Sequence, residues 1–406
     1  MRVLVLDTIH GGIAIGKAYV AAGHTVDTVD VYRNSTPDIA RDAATRQYDL
    51  IVAPVHLDPE HPLLHRPGVP VITHHEAVRR LLGKDVPVPM VEITGARGKT
   101  TTAHALAHLI TGSGILHTSA GTFMYPDRTF LWKKSITPAS VLAAARQAQS
   151  INGWLVAEES LGVTGAGNLA IITSHEDYHC AAGKKSALAE KCTSADRCPR
   201  VLVADGSLTK KRDGIANLED VARYNGTECR IFIGASVYTF SNPLLDLPAY
   251  RIPLALAGAA AAMLGFTPAA LATFTALPGR MSELQKDGIV IIDNANSGTN
   301  VATTVEAARY ARERSGISDL TLVIGTVAGD GAVCEGFSPD QVTQAVRLVH
   351  PDRIIYVGKK TGVHASLPEM DGFSIDSECT TLEEAQRRAV EITSKGSIVL
   401  AVKTWR

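Results

Sequence analysis

Apolar residues along this 406-residue chain fall into short strand-like runs separated by stretches with helical spacing. The first segment reads RVLVLD, a helix from about Ile13 to Ala22, then TVDTVDVY, YDLIVAP and VPVITHHEAVRRLL. Short strands alternating with helix-length segments predict βαβ units and a parallel, Rossmann-like sheet. LLGKDVPVPM (Leu81–Met90), with its prolines and glycine, predicts a linker. The strand MVEIT and a helix beginning near Lys99 open a second segment, in which LALAGAAAAMLGF (Leu254–Phe266) predicts a buried helix. ALPGRM (Ala276–Met281) marks a second boundary, and beyond it GIVIIDNA, LTLVIGT, DRIIYVG, TTLEEAQRRAVEITSK and SIVLAV resume the strand and helix pattern. The expected class is α/β, with domains over residues 1–87, 88–277 and 278–406. No internal repeat or low-complexity tract interrupts them.

Composition narrows the function classes. A formal net charge of −1 argues against a nucleic-acid partner, which requires a concentrated basic surface. The opening MRVLVLDTIHGG is a buried-strand pattern without a secretory signal, so a cytoplasmic location is expected. No apolar run reaches the roughly 18 to 20 residues needed to cross a bilayer, so no membrane partner is expected. Cys180, Cys192, Cys198, Cys229, Cys334 and Cys379 are few for this length and form no C-x-x-C pair, so neither a disulfide framework nor a zinc site is predicted.

Two glycine turns carry candidate chemistry. His10, Gly11 and Gly12 lie at the carboxyl end of the first strand, where open α/β sheets bind ligands, although HGGIAIG lacks the G-x-G-x-x-G spacing of a dinucleotide site. TGARGKTTT (Thr94–Thr102) resembles a phosphate loop two residues tighter than Walker A, whose distal glycine position is here Ile93. Its physics is that of an anion cradle. Strand MVEIT feeds a glycine loop, and the following helix aims its positive dipole end at the loop. Lys99 is placed to reach phosphate oxygens, and Thr100 to offer its hydroxyl to a magnesium ion. The [NT]-K-x-D motif of GTPases is absent.

This loop resembles that of the Mur ligase family of ATP-dependent enzymes, and further segments match the family in order. LHTSAGTF followed by ITPAS resembles its T-x-G-T…T-T-P region, and WLVAEESLG is similar to the strand ending on the magnesium-ligating glutamate, here Glu158. AIITSHEDYHCAAGKKSALAEK resembles the region carrying a metal-binding histidine, here His175, and a lysine that the family often carbamylates into a magnesium ligand. Lys191 matches that lysine, with Lys185 as the competing position, while Ser174 stands where the family has asparagine. The helix ending in LPGRM places Arg280 at the arginine that contacts ATP phosphates. VIIDNANSGTN places Asp293 at the ribose aspartate and Asn296 at a family histidine, and VIGTVAGDG (Val323–Gly331) resembles the family's glycine-rich loop. The family's H-N-x-x-N is replaced by Ala249, Tyr250 and Pro253.

The resemblance therefore implies a three-domain architecture: a Rossmann-like N-terminal domain, a P-loop ATPase domain and a Rossmann-like C-terminal domain, using ATP and Mg2+. It assigns catalysis to Lys99, Glu158, His175 and Lys191, and metal binding to Thr100, Glu158, His175 and Lys191. Nucleotide binding falls to Gly95, Ala96, Arg97, Gly98, Lys99, Thr100, Thr101, Arg280, Asp293 and Asn296. The third domain is expected to close over the second and bring Arg280 and Asp293 to the nucleotide. The implied reaction converts a small-molecule carboxylate into an acyl phosphate, which a nucleophile then attacks.

The opening LDTIHGG and the absence of a D-N-P-R amino-acid motif resemble an archaeal branch that includes coenzyme F-430 synthetase. In that branch a propionate of a nickel tetrapyrrole is activated and a carbon nucleophile closes a ring. His10, Gly11 and Gly12 would then face the macrocycle, with Arg33 and Lys17 near its carboxylates. An amide-forming ligase, such as a pseudomurein peptide ligase or a cyanophycin- or folate-type enzyme, is the alternative. A non-catalytic ATP-binding regulator is a third reading.

Overall fold

A computed structural model describes residues 1–33, 35–208, 213–327, 336–358 and 376–404. The chain forms two compact units, Met1–Phe274 and Thr275–Arg406. The first opens with β1 (Arg2–Leu6), α1 (Gly12–Ala21), β2 (Thr25–Val29), α2 (Pro37–Thr45), β3 (Leu50–Ala53), β4 (Val71–Thr73) and α3 (His74–Leu82). These strands form a parallel sheet in the order β2-β1-β3-β4, as the alternating sequence pattern predicts.

The same unit continues with β5 (Met90–Thr94), α4 (Lys99–Ala107), β6 (Gly114–Thr118), β7 (Gly121–Tyr125), β8 (Thr129–Trp132), α5 (Pro138–Ser150), β9 (Trp154–Glu158), β10 (Leu169–Ile172), the short β11 (His179–Cys180) and β12 (Lys185–Ser186), and α6 (Ala187–Ala195). After β13 (Val201–Val203), β14 (Ile215–Asn217) and α7 (Leu218–Val221), β15 (Ala222–Asn225), β16 (Glu228–Ile233) and β17 (Ser236–Ser241) form a separate antiparallel sheet that precedes α8 (Pro248–Met263). The main sheet runs β14-β13-β10-β5-β9-β6-β7-β8, with β5, β9 and β10 parallel and central. Every residue of these three strands is buried, which is why they read as nearly continuous apolar runs. Their shared carboxyl ends are where the candidate loop begins.

The second unit contains β18 (Ser282–Lys286), β19 (Ile289–Asp293), α9 (Val301–Ser315), β20 (Leu320–Thr326), α10 (Pro339–Val349), β21 (Arg353–Val357), β22 (Ser377–Cys379), α11 (Leu382–Ile392) and β23 (Ser397–Lys403). Their order is β18-β19-β23-β20-β21-β22, parallel apart from the β18–β19 hairpin. Local chemistry sets the helix ends: Asn300 and Thr303 form a capping box on α9, Gly316 ends that helix in the left-handed region, and Ser338 with Gln341 repeats the box on α10. The division at residues 87/88 and 277/278 remains a proposal that rests on the separate sheets. No described helix is long and apolar enough to cross a membrane.

A buried carboxylate ties the central sheet together. Glu92 on β5 is fully buried and accepts N–H groups from Thr164 at 2.8 Å, Gly165 at 3.1 Å and Gly167 at 2.8 Å, together with the Thr164 hydroxyl. Glu159, also fully buried, faces it. Burial, and then the charge of Glu92, pushes the Glu159 carboxyl well above the usual carboxylate range. Replacing Glu92 by Ala leaves the Thr164–Gly167 donors without their acceptor. Such a loss is expected to cost about 3 kcal/mol or more, read as a lower urea midpoint for unfolding followed by tryptophan fluorescence; an unchanged midpoint would contradict this account of the turn.

Candidate functional site

The loop after β5 is shaped by what its glycines avoid. At Gly95, with φ +149°, a Cβ would stand 2.2 Å from Thr173 Oγ1. Gly98 adopts φ +81°, and a Cβ there would come 3.3 Å from Pro253 Cγ. The proline that departs from the family's H-N-x-x-N pattern thus packs against the loop itself. Gly98 is also the N-cap of α4 and supplies no side-chain cap to the helix start. Ala96 N and Arg97 N both donate to Ser174 Oγ, at 2.9 and 3.3 Å. Two adjacent amides therefore converge on one oxygen, the arrangement that binds a phosphate oxygen.

Beside this loop stands a buried constellation. Glu158, 2% exposed, closes β9 and accepts the Thr100 hydroxyl at 2.8 Å and the Ser119 amide at 3.0 Å on the same oxygen. Lys99 Nζ lies 3.9 Å from the other oxygen and donates to Gly95 O at 3.1 Å. Thr101 is buried on the first turn of α4, and Arg97 forms an ion pair with Glu176 at 2.5 Å. The pairing of Glu158 and Glu159 is not a solvated patch: one carboxylate meets the loop, and the other is enclosed with Glu92.

Lys191 on α6 is fully buried, and its Nζ sits 4.5 Å from the Tyr178 ring centroid with no hydrogen-bond partner among the described residues. Burial, reinforced by the charge of Lys99, brings this amine down to about 8. Lys185, the competing lysine, is half-buried and ion-paired with Glu190 at 3.4 Å. His175 is exposed, and its Nδ1 lies 3.6 Å from Asp205. No group of three His, Cys, Asp or Glu residues arranged to hold a metal ion occurs among the described residues, so Thr100 and Glu158 are the members of the expected metal set seen in direct contact. The five described cysteines are free thiols. Sequence reasoning did not single out Ser119 or His117, and it noted Ser174 only as a departure from the family's asparagine. His117 is fully buried, hydrogen-bonded through Nδ1 to Thr122 Oγ1 at 2.8 Å, and held down to about 4 by burial against the opposing charge of Glu158.

In the second unit, Asp293 accepts Gly279 N and Ala295 N, each at 3.1 Å, and Asn296 Nδ2 donates to Gly279 O at 2.6 Å. These two residues therefore fix the backbone that presents Arg280. Of the glycine-rich segment Val323–Gly331, residues 328–331 lie outside the described residues.

The HGG turn forms a third cluster. Asp7, fully buried at the end of β1, accepts Ile9 N and His10 N at 2.8 Å and Gly12 N at 3.1 Å. Burial opposes its ionisation, but the bonds from His10 and Ile9 hold it at about 2. A Cβ at Gly11 would stand 2.6 Å from Ala139 Cβ, which puts the turn against the start of α5. From there the backbone leads to the carboxyl end of β9. Ser160 N donates to Ile136 O at 3.0 Å, and His75 Nε2 donates to Ser160 O at 3.1 Å.

Comparison with known proteins places this geometry. Residues 283–404 match the family described as "Coenzyme F430 synthetase CfbE, C-terminal domain". The coenzyme F(430) synthetase of Methanosarcina acetivorans is 30% identical over 477 aligned positions, covering 100% of this chain and 99% of the relative. Among solved structures, UDP-N-acetylmuramate-alanine ligase of Thermotoga maritima superposes with a TM-score of 0.53 at 16% identity, over 99% of this chain and 95% of that one. The folylpolyglutamate synthase/dihydrofolate synthase of Yersinia pestis, complexed with AMPPNP and Mn ion, gives 0.56 at 16% identity, over 84% and 93%. The fold is that of the Mur ligases, as the motif order implied.

A side chain at Gly98 would carry the strain of a left-handed backbone, roughly 1 to 2 kcal/mol, as well as press on Pro253. Gly98→Ala is therefore expected to weaken ATP binding about tenfold, measured by calorimetry with a non-hydrolysable analogue. Unchanged affinity would show that the turn geometry does not set the phosphate cradle.

Proposed function

This chain belongs to the coenzyme F430 synthetase family of ATP-dependent Mur-type ligases, and we propose that it activates a propionate carboxylate of a nickel tetrapyrrole and closes a carbocyclic ring. The observation that carries the proposal is the buried contact of Lys99, Thr100 and Ser119 with Glu158 beside amides that converge on one oxygen. On this reading Gly95, Ala96, Arg97, Gly98 and Thr101 form the cradle around the phosphates, Lys99 neutralises their charge, and Arg280, fixed by Asp293 and Asn296, serves the nucleotide.

The residues fit a divalent cation, magnesium by expectation. Glu158 is a buried carboxylate with a hydroxyl on the same oxygen, and oxygen donors of this kind suit a hard ion. Such an ion supplies charge neutralisation between the phosphates and the incoming carboxylate. Lys191 fits the remaining anionic ligand. A buried amine whose proton is held weakly adds carbon dioxide, releases a proton and becomes a carbamate, which turns an orphaned cation into a ligand. His175, exposed beside Asp205, is the outer candidate.

The chemistry then balances in two displacements. A substrate carboxylate oxygen attacks the terminal phosphorus as the bond to ADP breaks, giving an acyl phosphate. A carbon nucleophile of the same macrocycle loses a proton, attacks the acyl carbon and expels inorganic phosphate. Burial of Glu158 supports this reading, because water at that centre would hydrolyse the mixed anhydride.

Full-length protein incubated with the ring-open nickel precursor, ATP and magnesium is expected to release ADP and ring-closed product in equal amounts without an added amino acid. ADP release that requires a free amino acid would favour amide-bond formation, and an unchanged precursor would contradict the proposal. In the same assay Lys191→Ala is expected to lose about a hundredfold in turnover and to recover partly with added short carboxylic acids, while Lys185→Ala stays near wild type. The reverse pattern would exchange the two lysines.

A further inference from the structure

We infer that His10 is the residue that grips the metal centre of the macrocycle, with its Nε2 as axial ligand to the substrate's nickel and Asp7 as the group that orients it. The inference rests on the macrocycle reading above and adds a positioning residue to it.

Geometry comes first. His10 Nδ1 lies 3.3 Å from Asp7 Oδ1 and 3.3 Å from His56 Nε2. Asp7 is fully buried and anchored by three backbone amides, so its carboxylate is fixed beside His10 Nδ1, and its charge favours the tautomer protonated at that nitrogen. That tautomer leaves Nε2 of His10 with a lone pair. The His10 side chain is 38% exposed, whereas that of Asp7 is fully enclosed, so the pair has a buried orienting end and an open ligating end. A carboxylate that fixes the tautomer of an imidazole and raises its basicity is the arrangement that supports metal-bound histidines, and neutral imidazole suits nickel.

The surroundings fit the face of a flat macrocycle rather than a free ion. His56 packs edge-on against His10 at 4.4 Å between centroids and stacks with Tyr32 at 5.7 Å. Tyr32, Ile9 and Ile13 remain 39%, 37% and 45% exposed around the turn. No described cluster supplies the further His, Cys, Asp or Glu donors needed to hold a free metal, which is consistent with a single ligand to a metal already chelated by its macrocycle. Position agrees as well. The turn sits at the ligand-binding end of its sheet, and Gly11 abuts the start of α5, which leads through Ile136 and Ser160 to the end of β9. The HGG turn and the end of β9 are thus linked through neighbouring backbone.

The test uses full-length protein without ATP, so turnover plays no part. The nickel precursor and its metal-free form are titrated separately, with tryptophan fluorescence for affinity and the visible and nickel X-ray absorption spectra for coordination. Wild type is expected to add an axial nitrogen to the nickel on binding. His10→Ala should lose that signature and weaken the nickel form by at least about tenfold, the scale seen when even an outer-sphere partner of a metal is removed. Its affinity for the metal-free form should not change, which also shows that the variant is folded, and added 1-methylimidazole should restore the signature. A wild-type complex with unaltered nickel coordination, or a His10→Ala variant that matches wild type with both ligands, would overturn the assignment and leave the macrocycle reading standing. Failure of wild type to bind either form would overturn that reading, and this inference with it.

Discussion

A single carboxylate, Glu158, sets the terms for the rest of the structure. It ends a strand whose every residue is buried, and it is kept soluble in that interior by the Thr100 hydroxyl and the Ser119 amide. A charge in such a place is tolerated only where its lone pairs are met and an opposite charge lies near. Lys99 supplies that charge from the first residue of α4. The glycine loop must therefore be tight enough to bring Lys99 and Thr100 onto the end of β9, and Gly95 and Gly98 permit it by leaving room for Thr173 and Pro253. The glycine loop and the buried carboxylate are in this sense one feature.

Around that centre lie polar groups that an ordinary core would not hold. Glu92 organises the Thr164–Gly167 turn, and Glu159 beside it is enclosed with its carboxyl shifted far toward the neutral form. Lys191 has no hydrogen-bonding partner within the described chain, and its amine is destabilised by burial and by Lys99. An isolated buried ammonium is costly. That cost is relieved if the amine is neutral or converted to an anion facing a metal, which is why the proposed role of Lys191 follows from its surroundings as well as from family resemblance.

The parts of this site that could be read along the chain are those made of adjacent residues. Gly95 to Thr101 lie on one strand, loop and helix start, so their chemistry is local, and the strand LTLVIGT is found at Leu320–Thr326 because a buried parallel strand is a continuous apolar run. Other contacts have no local signature. Ser119 meets Glu158 across 39 positions, Ser174 meets Ala96 across 78, and His56 meets His10 across 46. Nothing in the spacing of those residues marks the pairing, which the sheet order creates. Lys191 and Lys185 lie six positions apart and are told apart by burial, by the Tyr178 ring over Lys191 and by the Lys185–Glu190 ion pair, none of which is visible before the helix packs. Pro253, which departs from the family's H-N-x-x-N, lies against Gly98 in the folded chain.

The central claim is that this constellation transfers a phosphoryl group to an organic acid, and isotope tracing tests it without reference to which ring or bond forms next. The precursor is labelled with oxygen-18 in its reacting carboxylate and turned over with unlabelled ATP, and the inorganic phosphate is analysed by mass spectrometry. The account predicts one labelled oxygen in the phosphate for each product formed. Phosphate that carries no label during productive turnover would contradict an acyl phosphate and the assignment of Glu158 and Lys99 to its formation.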